Sequence, residues 1–405
     1  MNTASVSHPR TWAHALACIA AFATLLAGCA APQQTVLTDE LPFEEAVAKA
    51  TDGLLAQTQK LPGFLTRVES KLSKRSVVID PMIDAGSGQQ TAATLLLERR
   101  VVERIARIEG FETLPFQSAN LAKAQYLLTG TMTRVAGERG RATFKINLAL
   151  TEIKPATVVA QASAVARGEG IDATPTSYYR DSPIILKDRV IEGYVATTAT
   201  PPGQRADAYY MERIAVATLI NEATTLYNAE KYQEALAQYR SVTSTPAGQQ
   251  LRALNGVYLA SWKLGRMAEA EEAFRKVVSL GIVYRELGVK FLFNPGSTEF
   301  WSDTKVSGAY GMWLRQIARE GVASKVCMNV LGHTSRTGSE QANNALSLQR
   351  AEHIRQRLAT EAPQLGPRLK AAGMGFRQNV IGSGTDNALD ALDRRVEFKI
   401  VACGA

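Results

Sequence analysis

Residues Val330 to Ala351, VLGHTSRTGSEQANNALSLQRA, constrain the fold more than any other stretch of the chain. An apolar strand enters a Gly/Ser/Thr turn, which leads into an amphipathic helix with Leu346, Ile354 and Leu358 on one side. Small polar side chains (Thr334, Ser339, Asn343, Ser347) gather where the strand ends and the helix begins. Arg350, one turn into the helix, can reach the same place. Helix-start N–H groups and a guanidinium fork both bind anionic oxygens, so the turn suits a ligand carrying carboxylate and amide groups. A well-capped helix without a ligand is the plain alternative.

These residues resemble the C-terminal domain of the OmpA family. The family pattern is G-H-T-D-x-x-G-S-x-x-Y-N-x-x-L-S-x-x-R-A, followed much later by N-R-R-V-E. In register here are Gly332, His333, Thr334, Gly338, Ser339, Asn343, Leu346, Ser347, Arg350 and Ala351, and Asp393-Arg394-Arg395-Val396-Glu397 leads the closing strand. The resemblance spans roughly Val289 to Val401. It implies a sheet with two packed helices that binds peptidoglycan by gripping the diaminopimelate of a stem peptide. In the family the motif Asp holds the ammonium of that residue and the helix Arg holds its carboxylate. Carried over, the peptidoglycan-binding set is Thr334, Ser335, Asn343, Leu346, Ser347, Arg350 and Arg394.

Two positions depart from the pattern. Ser335 stands at the family's Asp and Ala342 at its usual Tyr. A serine cannot neutralise an ammonium, so one charge-assisted hydrogen bond of about 1.5–3 kcal/mol is missing. That predicts a complex roughly tenfold to hundredfold weaker. Arg350 and Arg394 keep the carboxylate half, which predicts a guanidinium facing an open hollow.

The N-terminus carries Arg10, an apolar alanine-rich run from Trp12 to Leu26, and then Leu26-Ala27-Gly28-Cys29. The run reads as a secretory leader, short for a membrane span. Leu-Ala-Gly-Cys resembles the bacterial lipobox, which implies removal of residues 1–28, acylation of Cys29 and a lipidated tether over 29–40. With Ala30 after the cysteine, the resemblance implies an outer-membrane lipoprotein facing the periplasm. Of the four cysteines, Cys18 leaves with the leader and Cys29 takes lipid. Cys327 and Cys403 remain in an oxidising compartment, either as a disulfide or as two buried thiols. No Cys/His spacing suits a metal, and no cofactor is implied. The net charge of +8 is spread rather than clustered, which favours anionic envelope polymers and excludes a nucleic-acid footprint.

Residues 41–168 read as an α/β domain. A helix covers Phe43 to Gln59, a β-branched strand covers Ser76 to Ile79, and a periodic helix presents Leu97, Val101, Ile105 and Ile108 on one face. Phe111 to Pro115, Tyr126 to Val135, Ala142 to Ile153 and Val158 to Ala166 complete the strands, in a two-layer or three-layer arrangement. LLTGTMTRV, KINLALTEI and VVAQASAVA resemble the periplasmic domain of curli-secretion and penicillin-binding-protein-activator lipoproteins. Asp80, Asp84 and the loop AGSGQQ lack the lysine and glycine spacing of a phosphate loop and read as a surface turn.

Residues 169–207, rich in Pro, Thr and Gly, read as a linker with one extended segment near Ile184 to Leu186. Residues 208–282 are helical and repeat: Glu230 to Tyr239 aligns with Gly265 to Phe274 at a period close to that of tetratricopeptide repeats, which they resemble. Ala235 and Ala270 let paired helices approach, and Tyr239 and Phe274 fill the space beside them. Residues 283–405 form the OmpA-like domain, expected as a βαβαββ sandwich. The fold class is therefore multidomain α/β and α, with helical-repeat hairpins between two sheet domains.

Two functions follow. One is a non-catalytic tether, with lipid at Cys29 and peptidoglycan at the 334–350 site. The other is an assembly or regulatory scaffold whose repeats and N-terminal domain bind envelope proteins, with the peptidoglycan site weakened or lost. Catalysis is not expected: His333 and Ser335 lack a third orienting group, and Gly382-Ser383-Gly384 lacks a nucleophile-elbow context.

Overall fold

The computed structural model describes residues 40–58, 74–136, 142–294, 296–379 and 393–404. The leader, the Cys29 lipid site, nearly all of the 29–40 tether and Gly382-Ser383-Gly384 lie outside them. The described residues are mixed α/β and form two sheets.

The first sheet is built from β1 (Glu40–Leu41), β2 (Arg75–Ile79), β3 (Ile83–Asp84), β4 (Phe111–Pro115), β5 (Tyr126–Ala136), β6 (Ala142–Glu152) and β7 (Thr157–Arg167). Its order is β1-β7-β6-β5-β2-β4, with β3 beside β5. The β5-β6-β7 meander is antiparallel, whereas β2 runs parallel to both β4 and β5. Helix α1 (Phe43–Thr58) lays Ala46, Val47, Ala50, Leu54 and Leu55 against one face. Helix α2 (Ala92–Ile105) begins in a capping box between Thr91 and Thr94 and adds Ala93, Leu97, Val101 and Ile105, one side chain per turn, to the same core.

The opposite face is covered by residues read as linker. Segment 169–207 contains a short helix, Ser177–Asp181, and α3 (Arg189–Ala199). Val190, Ile191 and Tyr194 pack with Val78, Ile83 and Leu127, giving a three-layer domain. RVIEGYVATTA mixes Gly with β-branched residues of low helix propensity, so its sequence carries little helical signal. Its start was marked only by Asp188, whose carboxylate accepts from the Val190 and Ile191 amides. The same cover corrects the surface-turn expectation at 84–90. Ser87, Gln89 and Gln90 are buried, and a Cβ at Gly88, which has φ +72°, would lie 2.9 Å from Ile191 Cγ2.

Four helices follow as two hairpins: α4 (Ile214–Asn228) with α5 (Tyr232–Thr243), and α6 (Leu251–Lys263) with α7 (Met267–Val283). Ala235, Ala270, Tyr239 and Phe274 are all fully buried. The Phe274 ring stacks on Trp313 at 5.6 Å, so the second hairpin shares one core with the C-terminal part of the chain.

That part runs β8 (Glu286–Val289), α8 (Tyr310–Ala323), β9 (Cys327–Gly332), α9 (Glu340–Glu361), β10 (Leu369–Gly373) and β11 (Val396–Val401). The expected βαβαββ order is present, and the sheet order is β10-β9-β11-β8. Cys327 and Cys403 are joined in a disulfide with Cα atoms 5.2 Å apart. At the far edge, Ile185 donates its amide to the Gly288 carbonyl at 3.1 Å and Lys290 donates to the Pro183 carbonyl at 2.8 Å. Among the described residues no helix is long and apolar enough to cross a membrane.

Candidate functional site

The site is assembled where β9 ends against α9. Gly332 makes that contact possible: a Cβ there would lie 2.0 Å from the Ser347 carbonyl oxygen. Gly373 on β10 is equally crowded, its virtual Cβ 2.7 Å from the Leu348 amide and from Ser347 Oγ. Helix and sheet meet backbone to backbone, so Ser347 is fully buried. Its hydroxyl donates to the Asn344 carbonyl and accepts from the Gly375 amide, both at 2.9 Å. The two glycines and Ser347 are packing residues of the turn.

After β9 the chain turns through Gly338, at φ +91°, into the Ser339 cap, whose hydroxyl accepts from the Ala342 amide at 3.2 Å. Asn343, 6% exposed, points its amide back at the Thr337 and Ser339 carbonyls, at 2.8 and 3.1 Å. It thereby fixes the loop that presents Thr334 and Ser335. Thr334 is buried, with its amide bonded to the Gly375 carbonyl at 2.9 Å and its hydroxyl without a partner. Ser335 is also buried. Leu346 is half-buried beside the apolar stripe of Ala351, Ile354 and Leu358.

Arg350 lies 3% exposed. Its Nε donates to the Ser297 carbonyl at 3.2 Å and Nη2 to the Asn294 carbonyl at 3.4 Å, with Cζ 4.9 Å from the Phe293 ring centre. The guanidinium is thus engaged by the loop after β8, where the sequence led us to expect it facing an open hollow. Asn294 and Ser297 were not singled out from the sequence, since neither lies near the motif in the chain. Arg394 is half-buried on the approach to β11.

A second charged group lies behind the turn. His333 is 2% exposed, with Nε2 3.5 Å from Glu397 Oε2, at the limit of a hydrogen bond. Arg395, 4% exposed, donates Nε to Glu397 Oε1 at 2.6 Å and Nη2 to the Gln378 carbonyl at 3.1 Å. Burial pushes the Glu397 carboxyl upward, but His333 and the Arg395 charge outweigh it and hold it at about 2. Burial holds the His333 imidazole below its ordinary value, against the pull of Glu397. His333 is therefore a neutral structural group beside an ionised pair. Among the described residues no cluster could hold a metal ion.

No protein-family model matches this chain, and no curated protein matches it. Among solved structures, the peptidoglycan-associated lipoprotein from Burkholderia pseudomallei is similar over 29% of this chain and 90% of its own, with 24% identity and a TM-score of 0.24. The periplasmic domain of Helicobacter pylori MotB is similar over 29% of this chain and 76% of its own, with 18% identity and a TM-score of 0.24. An outer membrane protein from Borrelia burgdorferi covers 29% of this chain and 88% of its own, with 22% identity and a TM-score of 0.21.

Proposed function

We propose that the chain is a non-catalytic envelope lipoprotein, anchored in the outer membrane through Cys29, whose OmpA-like C-terminal domain contacts peptidoglycan from the periplasm. One observation supports this above the others: Thr334, Ser335 and Asn343 are buried together at the turn from β9 into α9, and Arg350, further along α9, is buried as well. In this reading Thr334, Ser335, Asn343, Leu346, Arg350 and Arg394 receive the diaminopimelate of a stem peptide, and Ser347 holds the turn that presents them. Nε and Nη2 of Arg350 already donate to the Ser297 and Asn294 carbonyls, so a ligand carboxylate competes with them for the guanidinium. Binding is correspondingly weak, on top of the bond lost at Ser335. The test is co-sedimentation of the chain from residue 30 onward with purified sacculi. Retention that falls with Arg350→Ala supports the reading, and equal retention removes the site.

The engagement of Arg350 within its own domain favours a second reading, in which the site is weak or retired and the chain is an assembly or regulatory scaffold. The tetratricopeptide-like hairpins at 208–282 and the N-terminal domain at 41–168 then carry the protein partners. Crosslinking in cells through residues 208–280 should recover envelope proteins, and recovery of none sinks this reading.

A further inference from the structure

A polar cavity lies far from the 334–350 turn, where the first sheet meets the covering helices and the first residues of α6. It occupies about 30 Å³ and is lined by Asp80, Tyr178, Tyr179, Tyr194, Tyr210 and Arg252. Asp80 and Pro81 follow the carboxyl end of β2, beside the end of β4. In sheets with parallel strands, ligands settle in such a crevice.

One atom on its wall, Arg252 Nε, is buried without an acceptor, and Asp80 Oδ1 and the Tyr179 hydroxyl make no hydrogen bond within the chain. Asp80 is 7% exposed; Oδ2 accepts from the Tyr210 hydroxyl, while Oδ1 has no hydrogen bond. Arg252 has a buried Nε without an acceptor, and its one side-chain hydrogen bond, Nη2 to Gln250 Oε1, is long at 3.5 Å. The carboxylates that act on its charge are Asp188 and Asp80, neither within ion-pair distance. Tyr179 is 5% exposed, and its hydroxyl has no hydrogen bond. A buried charge left without a close counter-charge is costly, so such a constellation is completed by what enters it.

Above about pH 7 both the Asp80 carboxylate and the Arg252 guanidinium carry charge, so a lone anion or cation would leave one of them uncompensated. A ligand bearing both charges satisfies the two ends together. The cavity admits roughly two to three water-sized groups, so only the charged end of a small ligand would enter it. It shares Pro81, Gln90, Phe116 and Asn221 with an adjoining groove of about 1200 Å³, whose walls include Leu95, Val102, Leu114 and Leu226.

We propose that this cavity binds the zwitterionic head of a free aliphatic α-amino acid, with the carboxylate on Arg252 and the Tyr179 hydroxyl, the ammonium on Asp80, and the side chain in the groove. The proposal is independent of peptidoglycan contact. Its test is calorimetric titration of the chain from residue 30 onward with leucine, isoleucine and valine in both enantiomers, against leucinamide and 4-methylpentanoate. At least one amino acid should bind, and the two probes lacking one charge should bind tenfold or more weakly by comparison. Asp80→Asn and Tyr179→Phe should each weaken binding several-fold, and Arg252→Gln tenfold or more. Circular dichroism checks folding; if Arg252→Gln does not fold, the other two variants decide the matter. Absence of heat with all six amino acids overturns the proposal. So does binding of leucinamide or 4-methylpentanoate as tight as leucine, or binding indifferent to Asp80→Asn and Tyr179→Phe.

Discussion

The hydroxyl of Tyr194 sits on the backbone of Gly130, accepting its amide at 2.8 Å and lying 2.9 Å from its carbonyl oxygen. On this side of β5, β2 pairs with residues 126–128 through residues 77–79, and β3 pairs with residues 131–132. Gly130 falls in the gap between the two short strands, and a tyrosine from α3 supplies the hydrogen bonds a strand would have made. Tyr194→Phe leaves a buried amide unpaired, so we expect a loss of about 1–3 kcal/mol. Urea denaturation measures it, and an unchanged midpoint would sink the assignment.

Ser335 stands where the resembling family carries a carboxylate. Ser335→Asp should tighten binding of diaminopimelate-containing peptides by roughly tenfold or more, the reverse of the lost charge-assisted bond. Fluorescence titration with such a peptide reads this directly. An unchanged or lower affinity would mean that the turn takes a different ligand.

The Glu397 carboxyl titrates near 2 in the folded chain, below its ordinary 4.5. A depressed carboxyl stabilises the fold above its unfolded value, and that stability is lost as pH falls from about 4.5 towards 2. His333, held neutral by burial, adds a loss of the same sign as pH falls below its ordinary 6.5. Glu397→Gln should therefore flatten the acid limb of stability below pH 4.5, by on the order of 2–3 kcal/mol at full effect. A limb of unchanged slope in thermal melts would contradict the assignment.

Asp80 behaves in the opposite sense. Burial raises its carboxyl to about 7 despite the Tyr210 hydrogen bond and the Arg252 charge. A raised carboxyl contributes stability at low pH that is lost as pH climbs from about 4 to 7. Asp80→Asn, which keeps an oxygen for Tyr210, should remove that decline. Melting temperatures that fall as steeply in the variant as in the parent would disprove it.

Reduction of the Cys327–Cys403 disulfide reopens a loop of sequence separation 76. The expected cost is roughly 2–4 kcal/mol, since the unfolded chain regains the entropy the crosslink removed. Comparing melts with and without reductant, alongside Cys403→Ser, checks this.

The long strands β5, β6 and β7 were legible because alternation over eleven residues has few rival explanations. Two-residue β1 and β3 carry no periodic signal, and α3 hid behind Gly193 and its threonines. Gly193 is required there, because a Cβ would meet Asp207 Oδ1 at 2.4 Å, so close packing decided a residue that local propensity disfavours. At the candidate site the motif placed Thr334, Asn343 and Ser347 at one turn. What holds Arg350 was not legible, because Asn294 and Ser297 reach it only through tertiary folding. The Asp80 cavity draws on segments far apart in the chain, and no spacing rule connects them.

The pairing of Pro183 and Ile185 with β8 has a consequence for how copies of the chain meet. A sheet edge with unsatisfied amides and carbonyls invites a neighbouring molecule to add its own strand, which is a common route to fibrils and precipitates. Here a piece of the chain from some hundred residues earlier occupies that margin, and a second copy finds no row of free hydrogen-bonding groups along it.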